Sequence, residues 1–175
     1  VEVALLDLAG KYEGCSISEL MGGRVRSTIK LYGSAGMYMS PEKYAEEASA
    51  IQLMGFPAYK MRPGLGPEDD LKTLELMRQA TGPDMGLMVD AHTWWRMGNK
   101  SYTPEMIYGL ARSMSKFNPY WLEEPLLPEQ HKAYKDLREK GFVTVATGEH
   151  EQEYEGFADL AHLQATDFLQ MDVCC

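Results

Sequence analysis

Short apolar runs alternate along this chain with longer stretches in which apolar residues recur every three or four positions. The runs Ile29–Ser34, Ala58–Arg62, Gly86–Asp90, Tyr120–Glu123, Thr144–Gly148 and Phe168–Asp172 read as strands, and the stretches between them as helices. Ile107, Leu110, Ala111 and Met114 fit the i, i+3, i+4, i+7 template, and Leu71, Leu74 and Met77 make a similar stripe. Ser40-Pro41-Glu42, Gly66-Pro67-Glu68-Asp69 and Thr103-Pro104-Glu105 each place proline and acids in a first helical turn. Gly55, Gly82 and Gly141 stand where helices end. The order is β-α five times over, then a sixth strand, which predicts an α/β fold with a parallel sheet covered by helices. Residues 1–25 differ: a helix carrying Val3, Leu5, Leu6 and Leu8 leads through Gly10 and Gly14 to a Gly22-Gly23 break.

Polar residues mark the ends of the strands. The second ends in Lys60-Met61-Arg62, the third in Asp90, the fourth in Glu123-Glu124, the fifth in Glu149 and the sixth in Asp172. The steps from Lys60 through Asp90, Glu123 and Glu149 to Asp172 are 30, 33, 26 and 23 residues, one β-α unit each. In a parallel α/β sheet the C-terminal strand ends share one edge, where ligands bind. A single acid after a strand is more often a helix cap or a solvated loop residue. That reading weakens when three successive strands each end in a carboxylate and the strand before them ends in two cations. Converging carboxylates repel unless a cation sits among them, and all-oxygen ligation suits Mg²⁺ first and Mn²⁺ next.

Composition narrows the class of partner. The 175 residues carry 17 Lys+Arg against 26 Asp+Glu, a net charge of −9, which argues against a phosphate-backbone binder. No run nears the ~18 apolar residues of a membrane span, and no signal peptide is visible at the N-terminus. The three cysteines, Cys15, Cys174 and Cys175, make a poor disulfide framework and point to a reducing, cytoplasmic setting. The rest of the acidic excess, including Glu46-Glu47 and Asp69-Asp70, reads as solvated helix faces. Gly64-Leu65-Gly66-Pro67 lacks the Lys-Ser/Thr of a phosphate loop, and neither Ser34 nor Ser115 sits in a nucleophile elbow.

Tyr59-Lys60-Met61-Arg62, Met88-Val89-Asp90-Ala91-His92, Trp121-Leu122-Glu123-Glu124-Pro125, Gly148-Glu149-His150 and Gln170-Met171-Asp172-Val173 occur in the family order of the enolase superfamily, in its mandelate racemase-like branch, which the chain resembles over essentially its whole length. Ala146-Thr147-Gly148-Glu149-His150 and Asp167-Phe168-Leu169-Gln170 look most like the acid-sugar dehydratases of rhamnonate and fuconate type. The resemblance implies a (β/α) TIM-type barrel, bound Mg²⁺ held by Asp90, Glu123 and Glu149, and abstraction of the proton next to a substrate carboxylate. Strand alternation keeps Glu123 and Glu124 from facing the same way, and the residues alone do not choose between them.

Removing such a proton creates a dianionic enediolate, which a divalent ion and nearby cations stabilise. Lys60 is a candidate base or carboxylate contact, with a plain salt bridge as the rival reading. Arg62 stands where racemases of this type commonly carry a lysine base. Arginine hardly deprotonates but clamps carboxylates well, so weight shifts from two-base racemisation or epimerisation toward dehydration. His92, two residues beyond Asp90, resembles an acid/base of the dehydratases, and its rival reading is a surface loop histidine. Asp172 resembles the acid of a His–Asp dyad, against an ordinary strand-end cap. His150 is a candidate substrate contact. Trp94 and Trp95 read as core or rim packing, with walls of a pocket as the rival reading, and His131 and His162 as surface residues.

A closed barrel has eight units and about 250 residues, so the sequence reads as a partial barrel of six strands and five connecting helices: a lead-in over residues 1–25, then barrel over 26–175. A capping domain and the last strands would lie outside this stretch. The expected activity is a Mg²⁺-dependent hydro-lyase acting on a sugar acid, in a homo-oligomer without nucleic-acid or membrane partners. A racemase or epimerase on the same scaffold and a non-catalytic homologue are the alternatives. Open sheet edges aggregate, so residues 1–175 expressed alone are expected to lack activity. Soluble, Mg²⁺-dependent turnover by that fragment would overturn the expectation.

Overall fold

The structure, a computed structural model, describes residues 1–172. Val173, Cys174 and Cys175 lie outside the described residues, and with them two of the three cysteines. Two compact units are present: Val1–Lys30 with Asp172, and Leu31–Met171. In the first, helix α1 (Glu2–Glu13) runs straight through Gly10 and stops at Gly14, whose φ of 68° suits a residue without a Cβ. The short helix α2 (Ile17–Leu20) follows, opened by a capping box between Ser16 and Glu19.

The larger unit is the predicted α/β architecture. Six parallel strands lie in the order β1 (Gly33–Met37), β2 (Ala58–Arg62), β3 (Gly86–Asp90), β4 (Trp121–Glu123), β5 (Val145–Thr147) and β6 (Phe168–Leu169). Five helices connect them: α3 (Pro41–Leu53), α4 (Pro67–Thr81), α5 (Pro104–Met114), α6 (His131–Glu139) and α7 (Tyr154–Leu163). Ser40 and Thr103 cap α3 and α5, accepting from the backbone N–H groups of Lys43 and Met106. No helix among the described residues is long and apolar enough to cross a membrane.

Strand boundaries shift in one instructive place. The apolar run at 29–32 is outside the sheet, with Ile29 and Leu31 exposed, and β1 starts at Gly33 opposite Tyr59. Strand β2 begins only at Ala58, directly after Pro57, which has no N–H to give a ladder. Residues before Gly33 therefore find no ladder partner on β2. Strand β6 is likewise shorter than its apolar run because β5 offers only three residues to pair with.

Period-2 alternation sorts the strand residues by face. Tyr59, Met61, Leu87, Val89, Leu122 and Val145 join the hydrophobic core with Leu74 and Met77 of α4, Ile107 and Met114 of α5 and Tyr134 of α6. All four stripe positions of α5 are buried. Lys60, Arg62, Asp90 and Glu123 fall in the opposite phase. At the N-terminal strand ends, the Arg78 guanidinium donates to the carbonyls of Phe117, Gly82, Pro83, Met85 and Asn118 at 2.7–3.3 Å, tying the tail of α4 to the segments that lead into β3 and β4. A cavity of about 780 Å³ opens at this same end, lined by Gly86, Tyr120, Thr144 and Phe168. Leu74 is wholly buried in the core. Leu74→Ala should cost about 2–5 kcal/mol in urea unfolding, the range for a buried leucine leaving a cavity.

Candidate active site

Sheet register assembles the first cluster. Asp90 pairs with Glu123 across β3 and β4, and both carboxylates are almost fully buried, at 2% and 1% exposure. Lys60, opposite Met88, sits two residues deeper on the same face. Its long side chain reaches the pair, with Nζ 2.6 Å from Glu123 Oε1 and 3.4 Å from Asp90 Oδ2. The Tyr32 ring lies 5.7 Å from the same ammonium. Arg62 Nε approaches Asp90 Oδ2 at 3.3 Å, His92 Nδ1 meets Asp90 Oδ1 at 2.6 Å, and the Trp121 indole N–H donates to Glu123 Oε2 at 2.8 Å.

Charge is shared unevenly within this cluster. Burial presses the Asp90 carboxyl upward, but the hydrogen bond from His92 and the Lys60 charge outweigh it and hold Asp90 below its usual range. Burial and the Asp90 charge raise Glu123, against the pull of Lys60. Burial alone would lower Lys60, yet Glu123 and Asp90 together raise it and fix it as an ammonium. Lys60 is therefore a bound cation in this arrangement. A carboxylate on Nδ1 of His92 places the proton there and leaves Nε2 as its proton-exchanging nitrogen.

The second carboxylate of the Glu-Glu pair belongs to another network. Glu124 adopts φ 48°, which turns it out of the strand. Its fully buried side chain accepts from Thr147 Oγ1 at 2.6 Å and the Gly148 N–H at 2.9 Å, with the Tyr134 hydroxyl at 3.5 Å. Glu124 thus pins the end of β4 to the end of β5, while Glu123 faces Asp90. Gly148, at φ 129°, admits no larger residue, because a Cβ there would stand 3.0 Å from the Gln170 carbonyl oxygen.

Glu149 and His150 follow this anchor. The Glu149 side chain is 39% exposed, with Oε1 3.7 Å from His150 Nδ1, and His150 Nε2 meets Arg96 at 2.7 Å. The structure therefore brings Lys60, Arg62, Asp90, His92 and Glu123 into one contact network and sets Glu149 and His150 in a neighbouring one. Among the described residues no three His, Cys, Asp or Glu side chains are grouped to hold a metal ion. Donor chemistry nevertheless suits one: Asp90 and Glu123 are paired, buried, hard oxygen donors that already surround a positive charge. Asp172 falls in the N-terminal unit.

Two acidic sites read as solvated surface are not. The Glu47 carboxylate accepts from the Tyr59 hydroxyl. Asp70 is 1% exposed and accepts from the N–H groups of Gly64 and Leu65, the Trp94 indole and the Tyr102 hydroxyl, all within 3.2 Å. It ties the loop after β2 to the loop after β3, and Trp94 packs in the core, as core packing rather than a pocket wall. The signal was available, since Asp70 stands in phase with Thr73, Leu74 and Met77 at i, i+3, i+4 and i+7. His131, read as a surface residue, is partly buried, with Nε2 2.8 Å from Glu151 Oε1.

Comparison with known proteins places this geometry. The pattern defining the family "Enolase C-terminal domain-like" matches residues 43–175. A D-galactarolactone cycloisomerase from Agrobacterium fabrum (strain C58) is 35% identical over 99% of this chain and 45% of its own length. The crystal structure of the 3,6-anhydro-D-galactonate cycloisomerase from Zobellia galactanivorans superposes with a TM-score of 0.88 at 37% identity, over 99% of this chain and 47% of that one. A candidate mandelate racemase from Bordetella bronchiseptica RB50, complexed with 2-oxoglutarate/phosphate, gives 0.86 at 31% identity, over 97% and 44%. The chain spans less than half the length of these relatives.

The Asp70 network yields a test. Asp70→Asn keeps the shape but turns an amide N–H toward the Trp94 indole, which can only donate. A stability loss of about 1–3 kcal/mol in urea unfolding is expected for that unsatisfied donor.

Proposed function

The chain belongs to the Enolase C-terminal domain-like family, and on that premise we propose that it carries the acid–base and metal-binding residues for β-elimination from a sugar acid. The observation behind this reading is the buried Lys60 ammonium between Asp90 and Glu123, with His92 on the outer oxygen of Asp90. In this proposal Asp90, Glu123 and Glu149 hold Mg²⁺, which when bound would stabilise the negative charge that builds on the substrate carboxylate as its α-proton leaves.

The remaining roles fall to the chain's own side chains. Arg62, with a side chain 32% exposed, keeps N–H donors beyond the one aimed at Asp90 and orients the substrate carboxylate. Lys60 holds positive charge beneath that carboxylate. His92 exchanges a proton at Nε2: as a base it takes the α-proton there, and as the imidazolium so formed it passes that proton to the oxygen leaving the β carbon, so that the C–O bond breaks without releasing a bare alkoxide or hydroxide. Asp172 enters on the resemblance alone, as the acid of a His–Asp pair, and His150 as a substrate contact.

The leaving oxygen is hydroxide in a dehydratase. In a 3,6-anhydro-D-galactonate, the substrate named for the Zobellia relative, carbon 3 bears the ring oxygen β to the carboxylate. Eliminating that oxygen opens a ring and loses no water. Dehydration and ring-opening cycloisomerisation are thus one elimination with different leaving groups. Epimerisation is the second reading, favoured by the likeness to a candidate mandelate racemase and disfavoured by Arg62, a poor base.

Reaction of the complete protein with sugar acids in D₂O separates these outcomes. A 2-keto-3-deoxy product formed with loss of water supports dehydration, and an isomeric ring-opened product supports cycloisomerisation. Deuterium at the α carbon of recovered substrate, with neither product, overturns elimination. Asp90→Asn should lower kcat/KM on the order of 10³-fold or more, as expected for several kcal/mol of lost transition-state stabilisation. Unchanged activity would point to a non-catalytic role for this cluster.

A further inference from the structure

The loops beyond β3 and β5 build a platform around Trp95 and Arg96, two residues to which the elimination chemistry gives no part. The Trp95 indole N–H donates to the Glu124 backbone carbonyl at 2.8 Å, so its ring is fixed to the end of β4. The Arg96 guanidinium lies over that ring, 4.7 Å from its centroid. Its Nη2 points at His150 Nε2, 2.7 Å away, and the His150 ring meets the Trp95 ring edge-on at 5.5 Å. A guanidinium only donates, so Nε2 accepts and the neutral His150 ring carries its proton on Nδ1. That Nδ1 faces Glu124 Oε2 at 3.4 Å and Glu149 Oε1 at 3.7 Å, without a hydrogen bond to either.

Arg96 is thereby held in one orientation with its charge uncompensated. Arg62 and Arg138 each have a carboxylate, Asp90 and Asp167. Among the described residues none pairs with Arg96, whose partners are a neutral imidazole and an aromatic face. Most of its five N–H donors stay open at an exposed position, on the side of the sheet where Asp90 and Glu123 end their strands. A planar guanidinium fixed by stacking, with two parallel donors to spare, matches a carboxylate in bidentate fashion.

We propose that Arg96, seated on Trp95 and aimed by His150, is a second carboxylate-binding position that selects substrates anionic at both ends, diacids over monoacids. This rests on the reading of Lys60, Arg62, Asp90 and Glu123 as the pole for the reacting carboxylate. Arg96 grips the carboxylate remote from the reacting carbon. Specificity then follows from the site's own needs: a monoacid leaves the guanidinium facing a hydroxyl, whereas a diacid neutralises it.

Calorimetric titration of the complete protein with galactarate and with galactonate, Mg²⁺ present, tests the assignment. Wild-type protein should bind galactarate at least about tenfold tighter than galactonate, the scale of one charge-assisted contact. Arg96→Gln should weaken galactarate alone and bring the two within about twofold of each other. Arg96→Lys, which keeps charge but loses the planar fork, should fall between. Equal wild-type affinities, a preference that survives Arg96→Gln, equal loss for both ligands, or failure to bind either would each overturn the proposal. Exchange of the α-proton in D₂O is read separately. A diacid preference that depends on Arg96 without exchange sinks the elimination reading and keeps this position, and exchange without preference does the reverse.

Discussion

Two carboxylates placed side by side in a parallel sheet, out of contact with water, cannot both stay ionised without a positive charge between them. The Lys60 ammonium meets that requirement for Asp90 and Glu123, and much of the rest of the site is arranged around it. Arg62, His92 and Trp121 take the remaining carboxylate oxygens, so each of the four oxygens has a donor. The cluster is bound together by electrostatics at short range, and its members come from three adjacent strands. Its existence depends on register: a slip of one residue between β3 and β4 would turn Glu123 toward the helices and leave Asp90 without its neighbour.

The same logic separates the two acids of the Glu-Glu pair. Neighbours on a strand face opposite ways, and the left-handed backbone at Glu124 adds a turn that carries its side chain to Thr147 and Gly148. One acid joins the Lys60 and Asp90 cluster and the other fastens the ends of β4 and β5. Such buried carboxylates, fully hydrogen-bonded, specify an arrangement more than they stabilise it.

Much of this was legible in the residues. The prolines at 41, 67 and 104 set the helix starts, and the stripe of Ile107, Leu110, Ala111 and Met114 set the buried face of α5. Strands β2 and β3 fall where their apolar runs do, because each is buried on both faces. The run before Gly33 misled because apolar character says nothing about whether a neighbouring strand has residues left to pair. Asp70 misled in the opposite sense: charge was taken for exposure, although its helical phase is that of the core. The platform of Trp95, Arg96 and His150 had no signature, since it joins loops 54 residues apart through stacking and one hydrogen bond. Glu123 is preferred to Glu124 only through resemblance, because the residues alone do not say that the register of β3 with β4 sets Glu123 beside Asp90.

The guanidinium of Arg78 gathers its five carbonyls at the end of the sheet remote from these carboxylates. Framework and carboxylate cluster consequently occupy opposite ends of the same strands. Loops on the rim can lengthen, shorten or change sequence while the lower fastening keeps the β3 and β4 units in place. A scaffold divided in this way lets substrate range drift over evolutionary time with small penalty to folding, so sequence divergence should gather in the loops after the strands, and the residues beneath them should change slowly.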